Sequence, residues 1–110
     1  MEYTVKLENQ KKIILFPDER FIGLQEVLNT ISLYSITLDD ILEKIDLVDS
    51  GIEEQAEIGT ERAIFVIKKT GVEIYDLFEG LVDDSDVFPS INISITDLKK
   101  VIKDYINFEV

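Results

Sequence analysis

Polar and apolar positions alternate at the start of the chain, with Tyr3, Val5 and Leu7 set against Thr4, Lys6 and Glu8. That period of two predicts a strand. The polar run ENQKK (8–12) predicts a turn, and KIILF (12–16) a second, more buried strand stopped by Pro17. From Leu24 the period changes. Leu24, Val27, Leu28, Ile31 and Tyr34 recur at helical spacing, so a first helix is expected to about Tyr34, with a loose start near Gly23. The next segment, SITLDDILEKIDLVDSG (35–51), carries a fuller helical signal. Thr37 is placed to cap, Asp39 and Asp40 fall in the first turn where the helix dipole favours negative charge, and Gly51 sits where the helix should stop. Leu38, Ile41, Leu42, Ile45 and Val48 form its apolar stripe.

Residues 52–61 (IEEQAEIGTE) are acidic and weakly patterned, which reads as a loop or a short helical turn. Arg62 to Phe78 reads as a hairpin of two β-rich runs around Thr70-Gly71. A loop then leads through Pro89 to SINISIT, where Ile91, Ile93 and Ile95 alternate with Asn92, Ser94 and Thr96. Thr96 is expected to cap a last helix whose Leu98, Val101, Ile102 and Tyr105 face inward and whose Lys99, Lys100 and Lys103 face out. The reading is therefore α+β: one globular domain over residues 1–110, in the order β-β-α-α-β-β-β-α. It has a largely antiparallel sheet of about five strands and about three helices.

Composition removes many chemistries. Neither cysteine nor histidine is present, so disulfides, thiolate or imidazole metal sites and Ser–His or Cys–His nucleophile pairs are excluded for this chain. An enzyme is not expected, and neither is a cofactor. No apolar run approaches the roughly 20 residues of a membrane span. MEYTVKLENQKK (1–12) lacks a basic-then-apolar leader, which points to a cytoplasmic home.

Charge narrows the choice of partner. The formal net charge is −12, which disfavours direct binding of nucleic acid or of an anionic membrane and favours a basic protein. The acidity is concentrated in two blocks. Residues 39–61 hold nine acids against one lysine, and residues 73–97 hold seven acids and no basic residue. On the second predicted helix, Asp39, Asp40, Glu43, Asp46 and Asp49 lie beside or around Leu47. This has the make-up of an apolar anchor within a polar rim. Asp83, Asp84 and Asp86 form a second candidate patch. A calcium loop is a poor fit there: starting from Asp84, Phe88 would take the fifth position and Pro89 the sixth, where glycine is needed. The five glycines are scattered, so no phosphate-cradling loop is apparent.

VEIYDLFEGL (72–81), the isoleucine-alternating strand and the closing TDLKKVIKDYINF (96–108) together resemble the immunity proteins of bacterial polymorphic or contact-dependent toxin systems. The resemblance implies a cytoplasmic inhibitor that masks a basic, nuclease-type toxin sterically and electrostatically. No family residue is carried onto this chain. Two other readings of the same acidity are a small structural or adaptor protein and a DNA mimic that occupies a nucleic-acid-binding protein. Strand addition at an exposed edge of INISIT or YTVKLE is a further route to a partner. The oligomeric state is not legible in the sequence.

Overall fold

The computed structural model describes residues 1–78, 80 and 87–109, and among these the chain is α+β and antiparallel throughout. Strands β1 (Thr4–Glu8) and β2 (Lys11–Leu15) form a two-stranded hairpin with Thr4 opposite Leu15 and Glu8 opposite Lys11. Its two-residue turn holds Asn9 and Gln10 at φ of 51° and 67°. Positive φ at both centres matches the right-handed twist of a hairpin. The outer edge of β2 is closed by side chains of α1 (Ile22–Thr30). Asn29 accepts from the Ile14 amide at 2.8 Å and donates to its carbonyl at 2.9 Å, while Gln25 accepts from the Phe16 amide at 2.8 Å. Gln25 and Asn29 are four residues apart on one helical face, so together they take the place of a neighbouring strand.

The helical periodicity that ran to Tyr34 breaks after Thr30, where the backbone tightens into a 3-10 turn over Ile31–Leu33. The Thr30 hydroxyl donates to the Glu26 carbonyl at 2.7 Å, a local bond that competes with continuing the α-helix. Helix α2 (Leu38–Asp49) matches its sequence signals. The Thr37 hydroxyl accepts from the Asp40 amide, the Asp40 carboxylate accepts from the Thr37 amide, and Gly51 follows at φ 84°.

Strands β3 (Gln55–Gly59), β4 (Ala63–Lys68), β5 (Gly71–Asp76) and β6 (Ile91–Ile93) then form a four-stranded sheet in sequence order. β3 is the element that the acidic composition of 52–61 concealed. Its Ala56 and Ile58 pair with Ile67 and Phe65 on the core side, while Gln55 and Glu57 face out. The β4–β5 turn is centred on Lys69 and Thr70, and Gly71 opens β5 at φ 145°. Helix α3 (Ile95–Asn107) starts two residues earlier than expected. Ser94, not Thr96, is its cap, accepting from the Asp97 amide at 3.0 Å. Ile95 thereby becomes a buried helical residue.

All the helices lie on one face of the sheet. α2 packs over β3 and β4 and against α3, α3 packs on β5, and α1 joins the hairpin to β5. Phe65, Ile67, Ile74, Leu98, Ile102, Ile41 and Ile45 are fully buried between these layers. Each such aliphatic side chain stabilises the fold by roughly 2 kcal/mol. The hairpin is tied to α3 by a surface cluster in which Lys100 donates to Tyr3 and Asp104, and Tyr3 donates to Asp104. Among the described residues no helix is long and apolar enough to cross a membrane.

Candidate protein-binding site

Two groups of carboxylates stand out, and the structure gives them different work. The first is built around Asp76, the last residue of β5. Its side chain is fully buried and accepts four hydrogen bonds: Arg62 Nε at 2.9 Å, Arg62 Nη2 at 2.8 Å, the Phe78 amide at 2.9 Å and the Phe88 amide at 3.0 Å. Burial by itself raises the pKa of this carboxyl. The Arg62 guanidinium and the two amides outweigh that effect and hold it below its ordinary value of 3.8. The guanidinium also lies over the Phe78 ring, 4.7 Å from its centroid. One carboxylate thus clasps both ends of the segment between Phe78 and Phe88. The Phe88 ring lies on α1 at Gly23, where a Cβ would fall 2.2 Å from Phe88 Cδ1. Gly23, read from sequence as the start of the helix, is the second residue of α1 and is buried, and its lack of a side chain lets this ring approach.

The second group lies on the solvent face of α2. Two neighbouring ridges, Asp39–Glu43–Leu47 and Leu42–Asp46–Ser50, bound a shallow trough of about 420 Å³ closed at its end by Ile52. Leu42 and Leu47 are half-buried, and Ile52 is 73% exposed. Leu42, expected in the core stripe, packs on the core while also flooring this trough. Ile52 went unremarked in the sequence, although a lone isoleucine in an acidic run just past a helix-stopping glycine is the available signal.

The predicted site residues therefore separate. Asp39, Glu43, Asp46 and Leu47 line the trough together. Asp40 is engaged in the capping box of α2. Asp46 also accepts from Lys99 of α3 at 2.8 Å. That bond raises the pKa of Lys99 above 10.5 against an opposing effect of burial, and Asp49 contributes through its field. Asp49 itself is exposed and outside the trough. Asp83, Asp84 and Asp86 lie outside the described residues. Of the acids in 73–97, Asp76 belongs to the buried clasp, and Glu73 accepts from the Tyr75 hydroxyl. Among the described residues no three carboxylates converge to hold a metal ion.

Comparison with known proteins finds no matching family, no matching curated protein and no matching solved structure.

Proposed function

We propose that this chain is a cytoplasmic binding protein that neutralises a basic partner protein, in the manner of an immunity protein masking a nuclease-type toxin. It acts by covering its partner and not by turnover. The observation that supports this reading is the trough on α2: apolar side chains at Leu42, Leu47 and Ile52 are rimmed by the exposed Asp39, Glu43 and Asp46 on the solvent side of the helix. A groove between helical ridges suits a helix or side-chain row of a partner, and the acidic rim selects a basic one. A net charge of −12 speeds encounter with such a partner, and added salt weakens that attraction.

The test is affinity capture from the native cell at low and moderate salt, with Asp39→Lys/Glu43→Lys as the paired variant. The expected outcome is a basic, nuclease-like protein whose nuclease activity falls on stoichiometric binding. The variant should lose it by about tenfold or more in affinity. Undiminished binding by the variant, or a captured partner that is not basic, overturns the reading.

A further inference from the structure

An antiparallel sheet presents its backbone at the edges, and the edges in this chain are treated unequally. The free edge of β2 is closed by Asn29 and Gln25. β6 has only three residues, with Pro89 two residues before it and the α3 cap directly after. β1 carries Lys6 on its exposed side. Short strands, prolines and lysines are the usual means by which edges resist further pairing. β3 has none of these. It runs for five residues without proline or lysine, and among the described residues no hydrogen bond joins its outer edge to another element.

The surroundings of β3 say what would pair with it. Its core-side residues Ala56 and Ile58 are half-buried at the margin of the hydrophobic core. Its outward residues are Gln55 and Glu57, both exposed, and Glu53 and Glu54 precede it. α2 lies over β3 and β4 with α3 on its other flank, where Asp46 meets Lys99. Leu47 lines the trough on the solvent face of α2 with Asp39, Glu43 and Asp46. A second copy of this chain is a poor occupant. Antiparallel self-pairing centred on Glu57 sets that carboxylate against its own copy, between two chains that each carry −12.

We propose that β3 accepts an extended segment of the partner as a fifth strand of the sheet. The segment alternates Lys or Arg, placed against Gln55 and Glu57, with small or β-branched apolar residues, placed against Ala56 and Ile58. Backbone hydrogen bonds supply affinity, and the alternation supplies selectivity. This inference rests on the proposed binding of a basic partner and names how that partner docks.

The experiment uses a short, end-blocked synthetic peptide of alternating lysine and valine, titrated into the whole chain and followed by backbone amide NMR. Two further peptides are compared with it. One is N-methylated at alternate residues along the pairing edge, and the other is a lysine–leucine peptide of helical period. The alternating peptide is expected to bind and to shift the amides of residues 55–59. N-methylation should weaken it by at least about tenfold, since it removes several backbone hydrogen bonds without changing charge. Glu57→Lys, a surface change checked for an unaltered amide spectrum elsewhere, should weaken it several-fold.

Equal binding of the methylated peptide overturns strand addition. So does a shift pattern confined to residues 39–52 with the helical peptide preferred, but that result leaves the acidic-helix reading standing. Binding of none of the peptides also overturns it, and the proposed function then rests on the capture experiment alone.

Discussion

Asp76 and Glu43 are both carboxylates in a strongly acidic chain, and the fold treats them as opposites. Asp76 is removed from water and saturated by four donors, Glu43 stands in solvent on the rim of a trough, and among the described residues it makes no ion pair. A buried charge is tolerated only when its bonds are complete, so Asp76 is bound tightly into the architecture. An exposed acid contributes little to folding and stays free to act on something outside the chain. Net charge alone conceals this division, because both residues count equally in it.

The sharpest way to break the comparison is to remove the buried member. Asp76→Ala should cost about 3 kcal/mol or more in chemical denaturation, because it leaves the Arg62 guanidinium and two amides without their shared acceptor. A loss under about 1 kcal/mol would place Asp76 with the surface acids. The same group sets an acid limit. Its pKa is depressed in the folded state, so its stabilisation is fully present above the unfolded value of 3.8 and is lost as pH falls through the lower folded value. Urea midpoints followed from neutral pH downward should therefore fall below that point, with a shallower decline in Asp76→Ala.

Gly23→Ala tests the ring that the clasp positions. A Cβ at that site enters the space of Phe88, and an overpacking loss of about 2 kcal/mol in thermal or urea unfolding is expected. Smaller effects belong to α2. Lys99→Ala, which removes a partly exposed ion pair to Asp46, should cost about 0.5 kcal/mol, and added salt should shrink that difference. Glu43→Lys should change stability by less than about 0.5 kcal/mol while weakening the basic partner. If Glu43→Lys unfolds the chain, the acid is structural and the contrast with Asp76 fails.

How much of this was legible beforehand can be seen residue by residue. Thr37, Asp40 and Gly51 announced both ends of α2, because capping is local chemistry between residues a few positions apart. Leu98, Val101, Ile102 and Tyr105 announced the buried face of α3 for the same reason. Strand β3 escaped because its signal is two apolar residues among acids, and what makes it a strand is its pairing with the strongly β-forming β4. Ser94 displaced Thr96 as the cap because Ile95 gains burial once the helix begins there. The trough was half legible. Leu47 among Asp39, Glu43 and Asp46 follows from helical geometry, whereas Ile52 joins them only after the chain turns back past Gly51.

By itself the sequence determined the α+β class, the hairpins, the capped and amphipathic α2 and α3, and the absence of thiol and imidazole chemistry. These depend on periodicity, local hydrogen bonding and composition, all of which operate over a few residues or none. Tertiary structure alone decided which acids became structural and which stayed outside, and which sheet edge stayed open. Arg62, Asp76, Phe78 and Phe88 meet only when β4 and β5 pair, and the β2 edge is closed only when α1 brings Gln25 and Asn29 alongside it. The reason is that desolvation and pairing are properties of a place in space. A carboxylate or a strand edge acquires them from neighbours that are distant along the chain.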